Sequence, residues 1–250
     1  MTDNIEGLPL IAHLRELRKR LVVCAIAIAI GFGVSYAWSV ELYDILKRPL
    51  AGALPPGERF LVFSGIVEPF FVYMKVGFIG GVSLASPVVL YEVWAFIAPG
   101  LKKKERRWFL SIVASSLLLF ASGTLFAYYV VFPFGFKYLL SFSTGELKPF
   151  LSMSDYFSTV TMLLLAFGLV FQTPLGILVL ARVGLVSARQ LLSWWRYALV
   201  GILIAAAVLT PTPDVFNQML MAGPLIILYG LGIILAAVFG RKKEGAGSSE

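Results

Sequence analysis

The sequence predicts an all-α polytopic membrane protein, and its composition and the grouping of its apolar residues support this fold class. Hydrophobic residues make up 59% of the 250 residues and charged residues only 14%, with a mean hydropathy of +0.87. Because a soluble domain carries about 25% charged residues, a chain this apolar cannot cover itself with polar surface. A soluble enzyme is therefore excluded. The apolar residues also fall into five long runs and one short run, and the charges lie mainly between them.

The six runs predict six transmembrane helices, since a helix needs about 20 apolar residues to cross a hydrocarbon core of about 30 Å. We predict one transmembrane domain over residues 1–240 and a disordered cytoplasmic tail over 241–250. The fifth run has 14 residues and would be about 21 Å long. Either the bilayer thins around it or its helix continues into the headgroups. The predicted spans are about 21–38, 70–96, 108–132, 157–180, 197–210 and 216–239.

The distribution of lysine and arginine predicts that both termini are cytoplasmic. With the N-terminus inside, the inside segments carry 15 of the 21 basic residues and the outside segments carry five. This asymmetry is typical of cytoplasmic loops. The net charge of +7 is thus explained by orientation, and we expect the basic face to bind anionic lipids and no nucleic acid.

Helix packing and loop structure are predicted from small residues and prolines. The connection after the first span predicts a short amphipathic helix, and residues 132–156 predict an outside loop broken by Pro133. Pro174 predicts a kink in the fourth span. Rows of small residues at four-residue spacing in the first two spans would let helix backbones approach closely in lipid; they are Ala27, Gly31 and Ser35, and Gly77, Gly81 and Ala85.

Four polar side chains within or beside the spans predict a polar intramembrane groove, because such groups are costly in lipid and often functional. Lys75 and Glu92 lie near opposite ends of the second span, so snorkelling to the headgroups is an alternative explanation for both. Gln172 lies well inside the fourth span and needs a hydrogen-bonding partner. Asp214 follows a proline and is alternatively the N-cap of the sixth helix.

The sequence offers no set of residues for catalysis, for a metal ion or for a cofactor. Cys24 is the single cysteine and His13 the single histidine, which excludes a disulfide framework and a paired-cysteine metal site. Neither a phosphate-binding loop nor an HExxH motif is present. Ser152 and Ser154 have no base to activate them. We therefore predict that the protein is not an enzyme.

Two basic segments on the predicted cytoplasmic face each contain a carboxylate. Glu16 lies among the cations of residues 13–20, and Glu105 lies among those of residues 101–107. The charge pattern alone favours local ion pairs, in which Glu16 pairs with Arg20 and Glu105 with Lys102.

These two segments, taken with their surroundings, resemble the TatC family, whose members are the multi-spanning subunits of the twin-arginine protein translocase. The similar motifs follow the family's order and span almost the whole chain. They are PLIAHLRELRKRL (9–21), ASPVVLYEVWAFIAPGL (85–101) with Glu105, Arg106 and Arg107, residues 126–129 with Pro133, residues 166–168 with Pro174, and residues 213–218.

The resemblance implies a cup-like six-helix bundle in the cytoplasmic (inner) membrane of a prokaryote. It implies a core receptor that binds Arg-Arg signal peptides at the cytoplasmic face, with Glu16 and Glu105 as acceptors. Export of folded proteins would use the proton-motive force, with no cofactor. The implied partners are single-span TatA/TatB-type subunits, which Gln218 is expected to contact, and further copies of the chain. Gln172 departs from the family pattern, because many members carry Glu there.

A small secondary transporter is the alternative function, with Lys75, Glu92 and Gln172 lining a path for a solute. The six spans show no inverted repeat and contain few charges, which disfavours that class. An intramembrane hydrolase is disfavoured because the sequence lacks a nucleophile and a base to activate it.

Overall fold

The computed structural model describes residues 7–54, 61–97, 109–143, 150–210 and 214–240, with side chains from residue 12 onward. Within these ranges the chain is helical apart from short connections and one isolated bridge, which confirms the all-α prediction. The elements are α1 (Gly7–Ala37), α2 (Ser39–Ala53), α3 (Glu68–Ile97), α4 (Phe109–Phe126), a π-helical turn (Ala127–Val131), α5 (Phe132–Leu140), α6 (Met153–Val170), α7 (Thr173–Val183), α8 (Ala188–Ser193), α9 (Trp195–Leu209) and α10 (Val215–Phe239).

Five helical segments of the described chain are long and apolar enough to cross a membrane, as judged by length and composition. The helix in the fifth predicted span, α9, is apolar but has only 15 residues, or about 22 Å. Five of the six predicted spans are therefore identified by this measure, and the remaining one is short, as its sequence indicates. The five segments are Ala12–Ala37, Glu68–Ile97, Phe109–Leu140, Met153–Val183 and Val215–Phe239.

The third segment continues past its predicted end at residue 132, so the first part of the predicted loop 132–156 is helical instead. A proline inside a helix lacks an N–H group and clashes with the carbonyl four residues earlier. Here the π-helical turn changes the hydrogen-bond register just before Pro133, which lies in the first turn of α5. At that position a helix requires no N–H donor.

The fourth segment breaks where Pro174 predicts a kink. α6 ends at Val170 and α7 begins at Thr173, with Pro174 in the first turn of α7. α6 also begins earlier than the predicted span, because Ser152 caps it by accepting a hydrogen bond from the Asp155 backbone N–H at 3.3 Å. The break leaves Gln172 at the junction of the two helices.

α2 is the amphipathic helix predicted after the first span, and it continues through Pro49. Its buried face, which includes Leu46, packs into the main core. Because Pro49 has no N–H group, the Ile45 carbonyl loses its helical donor. The hydroxyl of Tyr128, in the π-helical turn, donates a hydrogen bond of 2.7 Å to this carbonyl. This bond replaces the missing one and fixes α2 to the third segment.

α6 lies at the centre of the main core, between α3 and the third segment. Close packing here fixes the positions of the helices that carry the polar side chains described below. Almost completely buried side chains of this core are Phe157, Val160 and Phe167 of α6, Val72 and Val76 of α3, and Phe132 of α5.

Glu68 joins the start of α3 to the start of α6. One carboxylate oxygen accepts a hydrogen bond of 2.8 Å from the Ser154 backbone N–H, and the other accepts one of 2.8 Å from the Ser64 backbone N–H. Val62 pairs with residues 151–153 through two backbone hydrogen bonds of 2.9 Å. A negative charge is favourable at a helix N-terminus, so Glu68 stabilises this end of the bundle.

α1 and α3 are antiparallel and touch through their backbones at Gly31 and Gly81. A Cβ atom built on Gly31 would lie 2.5 Å from the Gly81 carbonyl oxygen, which confirms the close packing predicted from the small residues. Gly31 lies eleven positions after Arg20, and Glu92 lies eleven positions after Gly81. Since eleven residues make about three helical turns, Arg20 and Glu92 lie on the contacting faces of the two helices.

We expect Gly81→Ala to destabilise the packing of α1 on α3, because its Cβ would lie 2.5 Å from the Phe32 backbone nitrogen. Overpacking of this kind costs about 1–3 kcal/mol. Gly33→Ala is the matched control, since a Cβ at Gly33 meets no heavy atom within 4 Å. Thermal unfolding of both variants in the same detergent tests this expectation, and equal melting temperatures would contradict it.

We expect Tyr128→Phe to lower the free energy of unfolding by about 0.5–1.5 kcal/mol, the net value of one hydrogen bond, because the Ile45 carbonyl would lose its donor. Tyr129→Phe is the control on the same turn: Tyr129 is 68% exposed, and its hydroxyl makes no hydrogen bond among the described residues. Thermal unfolding followed by tryptophan fluorescence compares the two. A loss of stability in both variants, or in neither, would count against this explanation of how α2 accommodates Pro49.

Candidate functional site

Three charged side chains from α1 and α3 form one cluster, which we call the Arg20 cluster: Glu16, Arg20 and Glu92. Arg20 Nε and Nη2 donate to the same oxygen of Glu16, at 3.1 and 2.6 Å. Arg20 Nη1 donates to Glu92 at 2.7 Å. The predicted pair between Glu16 and Arg20 is therefore present, and a carboxylate from a second helix joins it.

The pairing of Arg20 with Glu92 is not predicted from the sequence, which indicates a groove residue or a snorkelling one at position 92. The spacing of the small residues contains the information needed to predict this pair. Once Gly31 is placed against Gly81, equal spacings of eleven residues bring Arg20 to Glu92. Glu92 is therefore tied to the predicted binding segment of α1.

The Arg20 cluster carries one uncompensated negative charge, because one guanidinium faces two carboxylates. The side chains of Glu16, Arg20 and Glu92 are 36%, 23% and 16% exposed, so Glu16 is the most accessible of the three. Among the described residues, one oxygen of Glu16 and one of Glu92 accept no hydrogen bond. Each carboxylate therefore keeps the capacity to bind a second cation.

The surroundings of the cluster are apolar and aromatic on the helix side and basic on the exposed side. His13 stacks on Phe96 with ring centroids 4.4 Å apart. Exposed cations are contributed by Arg15, Arg18 and Lys19. A cavity of about 110 Å³ lies between α1 and α3 beside the cluster, lined among others by Leu17, Arg20, Cys24, Glu92 and Val93. Low local dielectric strengthens hydrogen bonds in such surroundings.

Glu105, the second predicted acceptor, lies outside the described residues. Its pairing with Lys102 and its position relative to the Arg20 cluster stay predictions.

The other polar groups of the spans bind to different helices. Lys75 Nζ donates to Ser158 Oγ of α6 at 2.6 Å. Gln172 Nε2 donates to the Ser116 carbonyl of α4 at 3.0 Å, and the Ser116 hydroxyl donates to Gln172 Oε1. Since Glu92 pairs with α1, these three groups connect three different helix pairs. A single groove shared by all four predicted polar groups stays a prediction.

Asp214 and Gln218 both lie at the start of α10. Asp214 caps the helix by accepting a hydrogen bond of 2.8 Å from the Asn217 backbone N–H, which confirms the capping alternative. The Gln218 amide donates to the Leu203 carbonyl at 3.2 Å and so ties α10 to α9. Its expected contact with a partner stays a prediction.

A family model described as the Sec-independent protein translocase protein TatC matches residues 12–224, a range that contains the whole Arg20 cluster. The chain belongs to the TatC family. It is 44% identical to the TatC protein of Desulforapulum autotrophicum over 98% of this chain and 90% of that protein. It is 38% identical to the TatC protein of Escherichia coli strain K12 over 94% of this chain and 92% of that protein.

Solved TatC structures share this fold. A crystal structure of the twin-arginine translocase receptor TatC matches with a TM-score of 0.80 at 38% identity, over 90% of this chain and 97% of that one. As a member of the TatC family, the chain is a component of the Sec-independent protein translocase. It is a multi-pass protein of the inner membrane and acts in a translocase with partner subunits.

We expect Ser116→Ala to destabilise this TatC-family chain by about 1–2 kcal/mol, because Gln172 would lose a part-buried hydrogen bond between helices. Ser122→Ala is the matched control on α4, since the Ser122 hydroxyl is exposed and donates only to Leu119 of its own helix. Thermal unfolding in detergent compares the two variants. Equal melting temperatures would show that the bond to Gln172 does not stabilise the bundle.

Proposed function

We propose that the chain is the core receptor subunit of the twin-arginine translocase and binds Arg-Arg signal peptides through Glu16 and Glu105 at the cytoplasmic face. The observation that supports this proposal is the state of Glu16. Its carboxylate already binds one guanidinium through two hydrogen bonds to one oxygen. Its second oxygen accepts no hydrogen bond within the described chain, and its side chain is 36% exposed.

Arginine has the chemistry that such a site selects. A guanidinium is planar and offers a rigid fork of N–H donors, which a carboxylate accepts at two positions. The ammonium group of lysine cannot reproduce that fork. Two adjacent arginines need two acceptors on one surface, and Glu105 supplies the second in this proposal. The surrounding cations repel other positively charged peptides, which weakens non-selective capture.

The apolar part of the signal peptide would lie along the concave side of the bundle. An apolar cavity of about 510 Å³ supports this part of the proposal, because it lies where α1, α2 and α3 meet the third segment. Its lining includes Trp38, Leu42, Ile79, Leu84, Leu125 and Tyr129. In this proposal the chain has six spans with both termini in the cytoplasm, and the Arg20 cluster would then lie on the face where signal peptides arrive.

The proposal also names the partners of the chain and the energy source for export. Single-span TatA/TatB-type subunits and further copies of the chain would bind the apolar helix faces, with Gln218 near one contact. Anionic lipids would bind the basic face. Export would be driven by the proton-motive force, without a nucleotide. Gln172 cannot carry a proton, so coupling to the proton gradient would use other groups.

We expect Glu16→Gln and Glu105→Gln each to weaken binding of an Arg-Arg signal peptide by about 10- to 100-fold, the range for losing one charge-assisted partner. Site-specific photocrosslinking from positions 16 and 105 to Arg-Arg and Lys-Lys peptides locates the contact. Glu41→Gln, at an exposed carboxylate of α2, is the control.

The crosslinking has three informative outcomes. Crosslinks that require Arg-Arg support the proposed receptor and its site. Equal crosslinking to both peptides would contradict selective recognition. Crosslinking to neither peptide, in membranes that also contain the single-span subunits, would reopen the transporter alternative, which solute uptake into liposomes would then test.

A further inference from the structure

Arg20 presents to Glu16 the same chemical group that an Arg-Arg signal peptide would bring. It holds one of the two Glu16 oxygens, and a peptide guanidinium that binds through both arms of its fork needs both oxygens. In the chain alone its guanidinium makes two hydrogen bonds to Glu16 and one to Glu92. We propose that Arg20 is an internal occupant of the signal-peptide site and sets the affinity that an incoming arginine must exceed. This inference rests on the function proposed above and adds to it a residue that sets the absolute affinity of the site.

Glu92 makes Arg20 an effective occupant. An exposed ion pair between residues four apart on one helix is weak, because water competes for both charges. Glu92 is only 16% exposed and comes from α3, so it holds the guanidinium of Arg20 from a second direction. Three charge-assisted hydrogen bonds on one side chain give a fixed geometry that a single pair would not have.

Arg20 can leave the carboxylates without separation of the helices. Its side chain is 23% exposed, and a long arginine stem can place its charged group in water or among headgroups. The contact of Gly31 with Gly81 holds α1 against α3 independently of this side chain. Release of Arg20 therefore exposes both carboxylates while the helix pair stays assembled.

An internal occupant lowers the apparent affinity of every ligand by the same factor, which is the fraction of chains whose carboxylates are free. A ligand with two forked guanidinium groups still binds after this reduction. A ligand with ammonium groups binds the free carboxylates more weakly than one with guanidinium groups. The same reduction therefore takes its affinity below a useful value. Arg20 would thus exclude Lys-Lys peptides in practice while the ratio of the two affinities stays unchanged.

A positioning role for Arg20 predicts the opposite sign. If Arg20 only held Glu16 in the orientation that the ligand needs, its loss would weaken binding of an Arg-Arg peptide. If Arg20 competes with the ligand, its loss strengthens binding. The direction of the change therefore decides between the two roles.

The test is the substitution Arg20→Lys, which keeps the charge but cannot hold two carboxylates with a planar fork. Fluorescent synthetic signal peptides with Arg-Arg or Lys-Lys are titrated against the full chain with its single-span subunits in nanodiscs containing anionic lipid. We expect Arg20→Lys to tighten binding of both peptides by about tenfold, which corresponds to one charge-assisted hydrogen bond. Arg15→Lys, at an exposed arginine of α1, is the matched control and should leave both affinities unchanged.

Three results would overturn the inference. Weaker Arg-Arg binding by Arg20→Lys at an unchanged melting temperature would assign Arg20 the positioning role. Unchanged binding by Arg20→Lys together with weaker binding by Glu16→Gln would refute the internal occupant and leave the proposed receptor intact. If neither substitution changes binding, the proposed site itself is wrong.

If Arg20→Lys does not fold, Arg20→Gln is the alternative variant for the same binding measurement. Arg20→Gln removes both the fork and the charge, so it should tighten binding of both peptides further. Arg15→Gln removes an equal charge from the same helix without releasing a carboxylate, and it measures the effect of charge alone. Equal tightening by Arg20→Gln and Arg15→Gln would contradict the inference.

Discussion

The backbone contact between Gly31 and Gly81 determines how α1 lies on α3, and most of the site depends on it. Two helices that touch without intervening side chains have little freedom to slide or rotate against each other. Three helical turns away, this fixed register brings Arg20 to Glu92. On the side of this contact away from Arg20 and Glu92, Gly77 of α3 packs against Tyr36 of α1. The charged cluster is thus a consequence of packing between small residues in the middle of the helix pair.

Polar contacts between helices stabilise this bundle in a way that apolar contacts alone cannot. Lipid tails are as apolar as leucine, so burying leucine between helices gains little in a membrane. Lys75 with Ser158 and Gln172 with Ser116 each join two helices through hydrogen bonds. The Arg20 cluster follows the same principle with full charges. What distinguishes the cluster is that it keeps unused acceptor oxygens near the surface of the bundle.

The sequence predicts where helices form better than how they pack, and particular residues show why. The apolar runs locate the spans because hydropathy is a local property. Pro133 misleads, because the preceding π-helical turn accommodates it. Pro49 likewise lies inside a helix, because the hydroxyl of Tyr128 bonds to the carbonyl that it leaves without a donor. The pair of Arg20 and Glu92 depends on the register between two spans, which neither segment contains alone. The pair of Glu16 and Arg20 is predicted from the sequence because its two residues lie one helical turn apart.

The equal spacing of eleven positions in α1 and α3 limits the insertions and deletions that this pair of helices tolerates. Inserting one residue between positions 20 and 31 would rotate Arg20 by about 100° around the helix axis, away from Glu92. Replacing one lipid-facing apolar residue by another would leave the register intact. In these stretches the number of residues is therefore constrained more tightly than their identity, and the shortest deletion is more harmful than many substitutions together.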